Sequence, residues 1–170
     1  MKYKIILITI ISLSCGSAAH FSSNSKYKPF NIDPNQEYQV VNVLDGDTFE
    51  IKMGKKIQTV RMIGVDTPET VDPRKPVQCF GKEASQKTKS MLSHHIVRLH
   101  TDTTKSITDK FGRLLAYVYL ENGLFMNEFL LKEGYAREYT YGKAYSLQKE
   151  FRTLEMVAKQ GKVGLWKKCE

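Results

Sequence analysis

The stretch Val60-Arg61-Met62-Ile63-Gly64-Val65-Asp66-Thr67-Pro68-Glu69-Thr70 places an arginine, two carboxylates and two hydroxyls at the end of one hydrophobic run. A second acidic element, Asp45-Gly46-Asp47-Thr48, lies upstream, and a second arginine closes Asp109-Lys110-Phe111-Gly112-Arg113. Carboxylates hold hard cations through oxygen. Arginines grip phosphate oxygens with a planar fork of donors. The combination implies metal-assisted attack on a phosphodiester. Taken singly, each residue has a plainer reading. Asp-Gly pairs are ordinary turn formers, and isolated arginines are mostly solvated surface charges. Their joint occurrence is what points to chemistry.

These residues need elements to position them. Residues 38–44 are β-branched and apolar and read as a strand, followed by the Asp45-Gly46 turn. Residues 48–53 alternate faces with period two, as a half-buried strand does. After a Gly54-Lys55-Lys56 turn, residues 57–65 read as a third strand of an antiparallel meander. Residues 68–76 carry three prolines and read as a surface loop. A helix over 81–93 with Ala84, Thr88, Met91 and Leu92 on one side comes next. Strands over 96–101 and 114–121 then flank a polar loop at 102–113. Helices over 124–133, stopped by Gly134, and over 146–160 complete the pattern. In the last helix Leu147, Phe151, Leu154, Val157 and Ala158 read as the core face, and Leu165-Trp166 packs the tail back. This order predicts an α+β, mainly β, fold: a five-stranded OB-type barrel with three helices. Asp47 follows a turn and Asp66 ends a strand, which puts both at element boundaries where barrel loops build sites. The Thr67 carbonyl, next to Asp66, is a candidate third ligand for a hard cation.

The 170 residues make one ordinary domain plus an appendage. With 41% hydrophobic residues the chain can bury a core. The formal charge of +8 and pI of about 9.3 favour anionic partners, above all nucleic acid, although charge of this size also serves solubility. Part of it sits in an amino-terminal segment with the pattern of an export signal. Lys2 and Lys4 precede the short apolar run 5–13, and Ser17-Ala18-Ala19 offers small residues for cleavage. The expected organisation is a signal peptide at 1–19, a polar linker at 20–36 and a folded domain at 37–170. Without Lys2 and Lys4 the chain keeps 24 basic against 18 acidic residues, so it remains basic. The expected destination is secreted or periplasmic. Cys15, preceded by Ser14 but with Leu13 one position late for a lipid signal, leaves a lipid-anchored form as the alternative. Only in that form would the domain be held at a membrane.

Cys79 and Cys169 are an even pair in a chain marked for an oxidising compartment, which suggests a disulfide over two unrelated thiols. Two cysteines without nearby histidine make a poor zinc site.

The separated motifs together resemble the staphylococcal nuclease family. The resemblance runs from about Tyr38 to Trp166. It is carried by Asp45-Gly46-Asp47-Thr48, Arg61 with Val65-Asp66-Thr67-Pro68-Glu69-Thr70, Gly81-Lys82-Glu83-Ala84-Ser85, Thr108-Asp109-Lys110-Phe111-Gly112-Arg113, and Asn127-Glu128. It implies a nuclease in which Asp47, Asp66 and the Thr67 carbonyl bind Ca²⁺. Arg61 and Arg113 would contact the scissile phosphate, and Glu69 would orient or deprotonate the attacking water. Lys110 would lie near a terminal phosphate. DNA and RNA are the implied substrates, and the products carry a 3′-phosphate. A monomer without a protein partner is expected. The family's usual tyrosine before Gly-Arg is Phe111 here, which keeps a stacking ring and loses a hydroxyl. Its later tyrosine pair corresponds to Tyr139 and Tyr141, whose roles in nucleotide contact or in packing both stay open. The alternative reading is a catalytically silent nucleic-acid-binding OB module.

Overall fold

The structure is a computed structural model that describes residues 32–70 and 76–169. The expected signal peptide, Cys15 and most of the expected linker lie outside the described residues.

The alternating stretches form the strands. β1 (Glu37–Asp45), β2 (Thr48–Met53) and β3 (Lys56–Met62) make an antiparallel meander. In β1 the in–out alternation breaks at Val41 and Asn42, which are both exposed. The register against β2 shifts at the same place, from Val40↔Ile51 to Asn42↔Glu50. This is a β-bulge, whose extra residue bends the strand so that the barrel can close. β3 ends three residues earlier than the apolar run suggests. A turn at Ile63-Gly64 intervenes, and β4 (Val65–Asp66) starts a separate ribbon. Gly64 has φ of +76° and lies against Phe151 and Tyr145, where a Cβ would come within 2.6 Å of ring carbon. Only glycine combines that backbone with that approach.

α1 (Gly81–Leu92) buries Ala84, Thr88 and Leu92. β5 (Ile96–His100) pairs with β1 and with β6 (Leu114–Leu120), and β6 runs parallel to β3. The order β1-β2-β3-β6-β5 is thereby a closed five-stranded barrel. Its interior holds Phe49, Ile51, Val60, Met62, Val97, Leu99, Leu114 and Val118, all buried. Closure leaves the barrel itself without an open edge, which suits a small β domain.

α2 (Met126–Lys132) begins two residues later than its sequence suggests. Leu124 and Phe125 instead return to β6, the Leu120 amide donating to the Leu124 carbonyl at 3.0 Å. Gly134, at φ +65°, follows the end of this helix. β7 (Arg137–Glu138) pairs with β4. α3 (Gln148–Gln160) buries Phe151 and Ala158, with Leu147 and Leu154 packed on the core. Val157 is exposed, contrary to its expected place on that face. At 3.6 residues per turn it lies about 120° around the helix from Phe151, whereas Leu154 and Ala158 stay within about 60°. A short α4 (Leu165–Lys168) buries Leu165 and Trp166 against Ala158 in a satellite cluster. Cys79, before α1, and Cys169, after α4, are joined as a disulfide with Cα atoms 5.8 Å apart.

Candidate active site

The β1–β2 turn, the β3–β4 segment and the loop before β6 meet at one end of the barrel. The turn is set from two sides. Thr88 Oγ1 of α1 donates to the Gly46 carbonyl at 2.6 Å. A Cβ on Gly46 would lie 2.6 Å from Thr67 Oγ1, so a side chain there would displace Thr67. The Met62 amide donates to the Asp47 carbonyl at 3.0 Å and locks the turn to β3.

Asp47 is 4% exposed and its carboxylate is fully engaged. Oδ2 accepts the Thr67 amide at 3.0 Å and the Thr67 hydroxyl at 3.2 Å. Oδ1 accepts the Thr48 hydroxyl at 2.8 Å and pairs with Arg61 Nη1. Arg61 Nη2 binds Asp66 Oδ1 at 2.7 Å. One guanidinium thus spans the two carboxylates. Thr48 and Arg61 are cross-strand partners in β2 and β3, which is why the arginine reaches the turn. Burial pushes the Arg61 pKa down from its ordinary value. The charge and hydrogen bond of Asp66 oppose that, while the like charge of Arg113 adds to it. Arginine starts high enough to stay charged.

Arg113 is placed by its own loop. Asp109 Oδ2 accepts the Arg113 Nε–H at 2.7 Å, and Asp109 Oδ1 accepts the amides of Phe111 at 2.9 Å and Arg113 at 3.0 Å. Gly112 makes the turn at φ +77°, and Gln58 Nε2 donates to its carbonyl at 3.0 Å, pinning the loop to β3. The parallel β3–β6 register sets Arg61 against Leu115, so Arg113, two residues before, arrives beside Arg61. The Phe111 ring is 71% exposed, with Lys110 Nζ at 5.0 Å and the Arg113 guanidinium at 5.3 Å from its centre. An exposed ring flanked by two cations is a platform for a nucleobase.

Glu69 follows Asp66 by three residues and lies close enough to Asp45 for their charges to interact. Tyr139 is brought to the same end, because Asp66 pairs with Arg137 and the Tyr139 amide donates to the Gly64 carbonyl at 3.1 Å. Tyr141 lies further along. Its carbonyl accepts Lys105 Nζ at 2.6 Å, which ties it to the loop before β6. Both tyrosine rings are exposed.

Asp45 and Asp109 do more than their sequence suggests. Asp45 reads as a turn residue, yet it is buried and its Oδ1 accepts the Thr70 hydroxyl at 2.7 Å. Burial pushes its pKa up and the nearby Glu69 charge adds to this, while the Thr70 hydrogen bond opposes it. No spacing signal could reveal that contact, since Thr70 is 25 residues away. Asn127, quoted in a motif without a role, is fully buried. It accepts the Val118 amide and donates to the Ile63 carbonyl at 2.8 Å, holding the turn before Asp66.

Among the described residues no group of three or more His, Cys, Asp or Glu side chains is set to hold a metal ion. The expected donors are fewer, Asp47 and Asp66 with a carbonyl. Arg61 draws both carboxylates to one guanidinium, and an all-oxygen donor set is the kind that suits Ca²⁺ or Mg²⁺.

A family model described as staphylococcal nuclease homologue matches residues 59–168. The chain belongs to the staphylococcal nuclease family. The thermonuclease of Staphylococcus hyicus is 47% identical over 131 residues, covering 77% of this chain and 76% of that protein. The thermonuclease of Staphylococcus intermedius is 38% identical over 168 residues and 96% of each chain. Endonuclease YncB of Bacillus subtilis is 41% identical over 126 residues, 74% of this chain and 59% of that protein. The enzyme class that goes with membership of the staphylococcal nuclease family is that of a nuclease hydrolase. The family fold, a closed barrel with appended helices, is the one described above.

Proposed function

We propose that this chain is an exported, Ca²⁺-dependent nuclease that hydrolyses DNA and RNA with low sequence specificity and leaves 3′-phosphate products. The observation that carries the reading is the single guanidinium of Arg61 bridging Asp47 and Asp66 beside Arg113.

Asp47, Asp66 and the Thr67 carbonyl are the residues that would hold Ca²⁺. When bound there, the ion supplies positive charge against the phosphate. The chain's own groups do the rest. Asp109 takes the Arg113 Nε–H, so the four terminal N–H donors of that fork are the ones that meet phosphate oxygens. Charge grows on those oxygens as phosphorus becomes five-coordinate, and preorganised arginines stabilise that state more than the ground state. Glu69 accepts a hydrogen bond from the attacking water and so orients or deprotonates it. A 3′-phosphate product means that the water oxygen bonds to phosphorus while the P–O5′ bond breaks, and the 5′-oxygen leaves with a proton. Phe111, Tyr139 and Tyr141 offer rings to bases, which every base can use, so sequence preference is weak. Lys110, beside Phe111, adds charge for a neighbouring phosphate.

Export is supported by Lys2, Lys4, the apolar run 5–13 and Ser17-Ala18-Ala19. The Cys79–Cys169 disulfide fits an oxidising destination. Amino-terminal sequencing of exported protein should begin at His20; a lipid-bearing Cys15 would replace release by membrane tethering.

The deciding experiment incubates the purified mature protein with single-stranded DNA, duplex DNA and RNA, with Ca²⁺ or with excess chelator. Cleavage of all three only with Ca²⁺, with 3′-phosphate ends, is expected. Full activity in chelator removes the metal assignment. Binding without cleavage under every condition leaves the silent OB module.

A further inference from the structure

Glu69 has to present its carboxylate from a surface loop, and a surface loop alone does not fix a side chain. Both backbone groups of Glu69 are held by one residue. The Glu69 amide donates to Gln78 Oε1 at 3.0 Å, and the Gln78 amide donates to the Glu69 carbonyl at 3.0 Å. Engaging the N–H and the C=O of the same residue fixes the peptide planes on both sides of its Cα, and with them the direction of its Cα–Cβ bond.

Gln78 is itself exposed, so water competes for these bonds and they are weak alone. The segment that carries it is anchored from the other side. Cys79 is bonded to Cys169. Phe80 packs on the Ala158, Leu165 and Trp166 cluster and lies 5.6 Å from the Tyr135 ring. The Gly81 amide donates to the Gln78 carbonyl at 3.0 Å. A Cβ on Gly81 would lie 3.0 Å from the Pro68 carbonyl oxygen and 3.2 Å from that of Glu69, so the start of α1 presses directly on the Glu69 backbone.

We infer that Gln78, held in place by the Cys79–Cys169 bond, is a positioning residue for the Glu69 carboxylate. A glutamine suits the task because its side-chain carbonyl accepts while its own amide donates. The covalent link to the last helix transmits the rigidity of the body to the loop that carries Glu69. The inference rests on the proposed role of Glu69 toward the attacking water.

The test is a double-mutant cycle on the full mature protein with Ca²⁺ and DNA. Gln78→Ala should lower kcat by about tenfold, because small misplacements of a reacting group are costly, with KM changed by no more than about twofold. Gln78→Glu, which keeps the acceptor, should retain at least about a third of the kcat. In a Glu69→Ala background, Gln78→Ala should cause no further loss. The paired Cys79→Ser/Cys169→Ser change should lower kcat about threefold and follow the same rule. Unchanged kcat in Gln78→Ala overturns the inference while Glu69→Ala still shows its own loss. An equal loss in both backgrounds also overturns it, since that marks general loosening of the fold. If the cysteine pair loses thermal stability but keeps kcat, the disulfide drops out of the arrangement. If Glu69→Ala itself keeps kcat, the reading of Glu69 fails and this inference goes with it.

Discussion

Arg61 holds two carboxylates and is also meant to meet phosphate, so its removal should separate two effects. Arg61→Met should lower kcat by about 100-fold or more through lost transition-state stabilisation. The same change leaves Asp47 and Asp66 without their cationic partner. Breaking a buried pair from one side costs about 3 kcal/mol, so the Ca²⁺-free variant should be less stable by about that amount in urea. Its Ca²⁺ affinity, read by calorimetry, should rise, because the metal no longer competes with a guanidinium for the same oxygens. An unchanged or weaker Ca²⁺ affinity would move the metal away from Asp47 and Asp66. Arg113→Ala removes the guanidinium from Asp109, whose side chain is 12% exposed, but the backbone amides of residues 111 and 113 still donate to that carboxylate. It should lower kcat by a similar factor with a stability change under about 1 kcal/mol. Unaltered turnover would take Arg113 out of the site.

At the scale of elements, Asp102 is the joint between β5, β6 and the chain entering α3. It is 5% exposed. Its carboxylate accepts the Tyr117 hydroxyl at 2.5 Å, the Ser146 amide at 2.7 Å, and the Thr104 amide and hydroxyl at 2.8 and 2.6 Å. Burial pushes its pKa up, but the hydrogen bonds of Thr104, Tyr117 and Ser146 outweigh it and hold the group well below the usual carboxylate range. A depressed folded pKa stabilises fully above the unfolded value near 3.8 and is lost as pH falls through the folded value. Asp102→Asn should therefore cost about 3 kcal/mol at pH 7, where charged hydrogen bonds are forfeited. The difference from the native protein should narrow progressively as pH falls below about 4, followed by urea midpoints. A difference independent of pH would assign the cost to shape alone. Gly64, in the turn between β3 and β4, offers a separate test. Gly64→Ala would strain a positive φ and push a methyl into Phe151 and Tyr145. About 2–4 kcal/mol of destabilisation is expected, combining the left-handed penalty with overpacking. A neutral result would show that the α3 packing yields readily.

For the whole molecule, the Cys79–Cys169 bond closes a loop of sequence separation 90 around barrel strands β5 and β6 and helices α1 to α4. The chain-entropy account gives such a closure up to about 4–5 kcal/mol. The Cys79→Ser/Cys169→Ser protein should lose about 3–4 kcal/mol in reversible unfolding, and reductant should reproduce the loss in the native chain. A loss below about 1 kcal/mol would mean that the ends already stay together when unfolded.

Much of this protein is written locally. Period-two alternation announced β2, Gly134 the end of α2, and the spacing of Phe151, Leu154 and Ala158 the buried face of α3. Those features follow from the geometry of a strand or a helix, which neighbouring residues impose on one another. Asp47, Asp66, Arg61 and Arg113 stood out as short runs of chemistry-bearing residues at element ends, whereas the role given to Glu69 came from the family resemblance and not from its spacing. Tertiary structure decided what depends on distance through space. The break of β3 at Gly64 depends on α3 packing from some ninety residues away. Val157 faces solvent because the helix phase is set by what Phe151 packs against. Thr70 on Asp45, Gln78 on Glu69, Asn127 on the Ile63 carbonyl and Arg61 between two carboxylates are contacts that no spacing encodes. They exist because a closed barrel brings three loops to one end, and side chains there satisfy whichever buried donors and acceptors the closure leaves within reach.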